Sequence, residues 1–110
     1  MKVEKETAEK IGQLQLIEQN LRSLVIQKQT FQSQLLEIEN AMEELKDSKG
    51  ETYKIVGTIM VASDKNKLSE DLESKKEVVE LRIKNLENQE KKLREKTEEI
   101  QSDVMKKLKK

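Results

Sequence analysis

Carboxylates and lysines are the only abundant groups here whose types could do chemistry, and that chemistry would be proton transfer. Adjacent pairs such as Glu43-Glu44 and Glu98-Glu99 could act as acid and base if burial drew their proton affinities apart. They lie instead among lysines in helical stretches, where no pocket would desolvate them. Both pairs read as solvated helix faces. Histidine and cysteine are absent, which removes the commonest general base, the usual nucleophile and most transition-metal ligands. No Gly-x-x-x-x-Gly-Lys or Gly-x-Gly-x-x-Gly run occurs, so no phosphate-cradling loop is expected. The expectation is a protein that is not an enzyme, with no catalytic residue, no metal and no cofactor.

What the sequence spaces with regularity is apolar bulk. Leu14, Leu21, Lys28, Leu35 and Met42 recur every seven residues, and Ile17, Leu24, Phe31, Ile38 and Leu45 form a second row. Lys28 alone breaks the apolar pattern of these two rows. Such spacing lets one helix hold another along a narrow stripe. Lys46 and Lys49 place positive charge at its C-terminus, and Gly50 is expected to end it in the left-handed conformation. A second helix, capped by Asp64 or Asn66, carries Leu72, Val79, Leu86, Leu93 and Ile100. Its companion row is poorer: Lys76, Ile83, Glu90, Thr97 and Val104. Each helix would run roughly 60–65 Å at 1.5 Å per residue, so two equal rods should fold back on each other.

Pairing residues whose numbers sum to about 114 aligns the two seams. Layers Met42/Leu72, Leu35/Val79, Lys28/Leu86, Leu21/Leu93 and Leu14/Ile100 then alternate with Ile38/Lys76, Phe31/Ile83, Leu24/Glu90, Ile17/Thr97 and Lys10/Val104. Layers near the bend are better matched, so the free end is expected to be looser.

Between the helices, Thr52 through Ala62 is the one stretch rich in β-branched residues, and Gly57-Thr58 can make a tight turn. Both strands would be apolar on both faces. A lone two-stranded hairpin is marginal in water and its open edges invite other strands. Tyr53, Ile55, Val56, Ile59, Met60 and Val61 are therefore the candidate oligomerisation residues. The other reading has the hairpin folding back over the end of its own coiled coil.

Composition agrees with a rod and excludes other classes. Of the 110 residues, 34% are hydrophobic and 40% charged, too little apolar bulk for an ordinary compact core. Basic and acidic residues number 22 each, which argues against nucleic acid as a partner. The apolar run Ile59-Met60-Val61-Ala62 is too short to cross a bilayer. The first ten residues lack an apolar signal-peptide core, and no cysteine framework suggests secretion. The expected location is the cytoplasm.

These residues resemble the β-type subunit of prefoldin, most closely the archaeal kind, over nearly the whole chain. Tyr53-Lys54-Ile55-Val56-Gly57-Thr58-Ile59-Met60-Val61 between two equal heptad arms carries the resemblance. Gln27-Lys28-Gln29, Ala41-Met42-Glu43-Glu44-Leu45 and Leu81 through Leu93 add to it. The resemblance implies a mainly α fold: an antiparallel two-helix coiled-coil hairpin whose short β-hairpin at the bend joins an intersubunit β-barrel. Residues 1–110 would form a single domain, with helices over 1–49 and 65–110 and the hairpin over 51–62. It further implies a hexamer of two α-type and four β-type subunits, comprising other copies of this chain and an α-type partner. Such an assembly holds unfolded polypeptides at its coiled-coil tips without ATP and delivers them to a group II chaperonin.

Within that reading the client-binding candidates are Ile11, Leu14, Ile17, Ile100, Val104, Met105 and Leu108. They are expected to stay partly exposed because Lys10, Glu90 and Thr97 dilute the seam. The off-seam residues Ile11, Leu16, Val25 and Ile26 suit either client contact or a third helix. Lys28 either fixes register or packs its stem and sends its ammonium to solvent. Lys106-Lys107 and Lys109-Lys110 either attract a chaperonin, nucleic acid or acidic clients, or complement a fraying helix C-terminus. The functional alternative is a structural coiled-coil adaptor without chaperone activity.

Overall fold

A computed structural model describes residues 5–108. Its elements are α1 (Lys5–Asp47), β1 (Thr52–Val56), β2 (Ile59–Ser63) and α2 (Lys65–Leu108). Two long helices joined by an antiparallel β-hairpin are the expected mainly α fold. The Lys109-Lys110 end of the basic tail lies outside the described residues. Packing divides the chain into two units: one is Thr30–Ile83, and the other joins the chain up to Gln29 with that from Lys84 on.

In the Thr30–Ile83 unit the chain reverses direction. α1 ends at Asp47, and the Ser48 N–H closes the last turn by donating to the Leu45 carbonyl at 3.2 Å. Gly50 does not take the left-handed conformation expected of it; Gly57 alone does among the described residues. The reason is that the terminal carbonyls find a different donor. The Lys65 ammonium, on the first residue of α2, donates to the carbonyls of Ser48 at 2.9 Å and Lys46 at 3.3 Å. These groups would otherwise be orphaned at a helix end. α2 opens on Asp64, whose carboxylate accepts from the Asn66 N–H at 3.3 Å and whose carbonyl accepts from Leu68 at 2.9 Å. That is N-capping.

The hairpin pairs Thr52 with Ser63, Tyr53 with Ala62, Lys54 with Val61, Ile55 with Met60 and Val56 with Ile59. Gly57 has φ +63° and Thr58 does not have positive φ, the pattern of a type II′ turn, which needs glycine first. Arg82 stands 5.5 Å over the Phe31 ring centroid, a cation–π contact between α1 and α2. Val79 is buried, with Leu35, Ile38, Met42, Leu45, Leu68 and Leu72 half-buried.

In the other unit, Ile17, Ile100 and Val104 form a buried cluster with Leu14, Leu21 and Leu93 packed against it. Both members of the expected layers Leu14/Ile100 and Leu21/Leu93 are in that cluster. Leu24 and Leu86 are buried as well. Thr7 is 2% exposed; it stands seven residues before Leu14 and so extends the heptad row by one repeat. One flaw remains in this seam: the Thr97 hydroxyl is buried without a hydrogen-bond partner among the described residues. A buried unpaired hydroxyl costs about 1–3 kcal/mol. Thr97→Val should therefore raise stability by about 1 kcal/mol in denaturant melts, and a loss of stability would mean that the hydroxyl is satisfied in solution.

Candidate assembly and client-contact surfaces

The hairpin is apolar because its sequence leaves it no polar face. Ile55 sits opposite Met60 on one face, and Val56 opposite Ile59 on the other. Pleating sends alternate side chains to opposite sides, so neither face is free of apolar bulk. Ile55 is 68% and Ile59 65% exposed, and Tyr53, Val56, Met60 and Val61 are exposed too. Lys54 reaches Asp71 of α2 at 3.7 Å. This contact leaves an open hollow of about 720 Å³ whose lining includes Leu45, Tyr53, Ile55, Leu68 and Leu72. Even where it leans toward the helices, the hairpin leaves its apolar side chains exposed in the single chain. All six candidate oligomerisation residues lie together on it, unburied.

The candidate client residues divide into two groups. Ile11, Met105 and Leu108 are exposed, and so is the off-seam Leu16. Leu14 is half-buried. Ile17, Ile100 and Val104 are only 6%, 7% and 8% exposed, which corrects the expectation that they stay partly open. The looser free end expected from the layers is corrected with them. Lys10 does not open the seam at this end, because its ammonium is paired with carboxylates beside it. Lys10, its side chain 23% exposed, places its ammonium 3.4 Å from Asp103 and 3.8 Å from Glu6. Lys107 reaches Glu6 at 2.8 Å, and its ammonium holds the Glu6 carboxyl below the usual carboxylate range.

Lys28 is as withdrawn as Lys10, its side chain 22% exposed against 23%, and differs in the carboxylate it meets. Its ammonium meets Glu90, across the seam on α2, at 3.2 Å. The other Glu90 oxygen accepts from Arg94 at 2.8 and 3.2 Å. The Lys28 and Glu90 side chains are 22% and 15% exposed, so the ammonium ends on a carboxylate and not in open water. Arg94 and then Lys28 hold the Glu90 carboxyl below its ordinary value. A carboxyl depressed in the folded state adds stability that is present above its unfolded value and lost as pH falls through the folded one. Thermal midpoints should thus drop as pH falls from about 6 to about 3, and Glu90→Gln should lack that share of the drop. Identical pH profiles for both proteins would remove Glu90 as its source.

Sequence reasoning missed Thr7, although its place in the heptad was readable. It also missed Lys65 and Asp103, whose partners lie far away in the chain and carry no local signal. Exposed Leu36, Val78 and Leu81 stand off the seam rows and escaped it too. No described helix is long and apolar enough to cross a membrane, and no cluster of three metal-binding side chains occurs among the described residues.

Known proteins share this arrangement. The family described as "Prefoldin subunit" matches residues 8–110. Prefoldin subunit beta of Thermococcus onnurineus is 42% identical over 96 residues, covering 86% of this chain and 83% of the relative. Prefoldin subunit beta of Archaeoglobus fulgidus is 40% identical over the same shares. The crystal structure of the prefoldin beta subunit from Thermococcus strain KS-1 superposes with a TM-score of 0.94 at 34% identity. That match covers 99% of this chain and 97% of the other. Heptad helices, an intervening hairpin and sequence agreement along most of the chain converge on one conclusion: the chain belongs to the prefoldin family, in its β-subunit branch.

Proposed function

We propose that this chain is a subunit of an ATP-independent holdase, a cytoplasmic hexamer of two α-type and four β-type subunits that passes non-native proteins to a group II chaperonin. Residues 1–110 serve it as a single domain, with arms over 1–49 and 65–110. The observation that carries the reading is the exposed apolar hairpin, Tyr53 to Val61, on an otherwise charged chain of the prefoldin family. Burying each such side chain in an intersubunit barrel contributes about 1.5–3 kcal/mol, enough for several to hold subunits together.

Client contact falls to the exposed apolar residues near the free ends: Ile11, Leu16, Met105 and Leu108. Ile17, Ile100 and Val104 keep the arm closed beneath them. A holdase binds many sequences weakly, and several arms around one cavity raise the effective concentration of such patches.

The test replaces Ile11, Leu16, Met105 and Leu108 by serine together. The assembled mass should be unchanged while suppression of aggregation of a chemically unfolded protein is lost, with or without nucleotide. Full suppression by the variant would move client binding to the hairpin body. No suppression by the unsubstituted assembly would identify a structural adaptor instead.

A further inference from the structure

On apolar content alone, the best partner for α1 is another α1. Its seam is interrupted between Leu14 and Leu45 only by Lys28, whereas the companion row of α2 carries Lys76, Glu90 and Thr97. Nothing in the hydrophobic pattern tells α1 to choose α2. A seam with these residues should form α1 pairs between chains whenever copies meet during folding or assembly.

An ion pair supplies the missing preference. Lys28 is largely withdrawn from water and its ammonium lies 3.2 Å from Glu90. Arg94, four residues on, takes the other oxygen of Glu90 and holds that carboxylate in place. In an in-register parallel pair of α1 helices, Lys28 would face Lys28 with no carboxylate on either seam. A withdrawn lysine facing a like charge is strongly unfavourable, and one with its carboxylate is tolerated. The penalty for the wrong partner, more than any gain from the right one, then sets the choice.

We propose that the Lys28–Glu90 ion pair is a partner selector that makes α1 pair with α2 and reject a second α1. Several arms lie close together under the proposed assembly, and there the selector keeps each arm folded on itself. That significance rests on the proposed function; the selector and its test do not.

The sequence has no cysteine, so a Leu21→Cys/Leu93→Cys pair is a clean reporter on the full chain. These residues belong to one packed cluster, and correct pairing joins them within a chain. Pairing of two α1 helices joins two Leu21→Cys positions between chains. The pair is introduced into three backgrounds: unsubstituted, Lys28→Leu/Glu90→Leu, and the exchange Lys28→Glu/Glu90→Lys. Each is refolded from denaturant and oxidised. The products are separated by mass without reduction, and peptide mapping locates the linked positions. The unsubstituted background should give the intrachain link almost exclusively. The apolar background should melt higher yet give several-fold more Leu21→Cys to Leu21→Cys interchain product, and the exchange should return to the intrachain link. Circular dichroism establishes that each background is helical before it is scored. Exclusive intrachain linkage in the apolar background would overturn the selector, whatever the assembled mass proves to be.

Discussion

Replacing Ile55 and Ile59 together by lysine should dissolve the assembly while leaving the helices folded. The two residues are 68% and 65% exposed in the single chain, so their loss removes little intrachain packing. They stand on opposite faces of the hairpin, Ile55 beside Met60 and Ile59 beside Val56. Two lysines therefore charge both surfaces that would have to be buried between subunits. Losing two buried isoleucines forfeits about 3–6 kcal/mol of association, and desolvating two ammonium groups adds a larger penalty. Sedimentation or light scattering should report a shift from oligomer to single chains at micromolar concentration. Far-ultraviolet circular dichroism should change little. An unchanged mass would show that subunits meet elsewhere, and the barrel arrangement would fail with it.

Truncating Ile17 to alanine should cost about 2–5 kcal/mol, as much as truncating Leu86. Both are buried, at 6% and 7% exposure, and Ile17 shares its cluster with Ile100 and Val104. The heptad rows by themselves suggest a smaller loss at Ile17, because its layer partner is Thr97. They also suggest a large loss at Leu35, whose layer partner is Val79. Burial reverses that second ranking: Leu35 is only half-buried, so Leu35→Ala leaves a smaller cavity and should cost less than Ile17→Ala. Urea melts of the three variants would read the order directly. A loss at Ile17 well below that at Leu86 would restore the picture of a loosely packed free end.

Much of this protein was legible in sequence because its fold repeats a local rule. A seven-residue period fixes which side chains share a helix stripe, and β-branched strands around Gly57-Thr58 fix a hairpin. Both follow from backbone geometry and need no knowledge of distant residues. The members of the expected layers Leu14/Ile100 and Leu21/Leu93 do share one packed cluster, as two equal helices with a short connection suggest. The absence of histidine and cysteine removes the commonest general base and the thiol nucleophile by composition alone.

What the tertiary structure decided is where each charged seam residue sends its polar end. Lys10 and Lys28 are the same residue type in the same α1 seam and equally withdrawn, yet Lys10 meets the exposed carboxylates of Asp103 and Glu6 while Lys28 meets the largely withdrawn Glu90. That difference depends on which α2 carboxylate arrives opposite, which no local pattern encodes. It also decided the fate of Ile17, Ile100 and Val104, which are buried in one cluster with Leu14, Leu21 and Leu93 packed against it. The end of α1 before the hairpin was settled in the same way: the ammonium of Lys65 takes the carbonyls of Lys46 and Ser48, where a left-handed Gly50 had been expected to close the helix. Periodicity assigns a face to every residue, but a flexible charged side chain chooses its final place only when its partner is brought within reach.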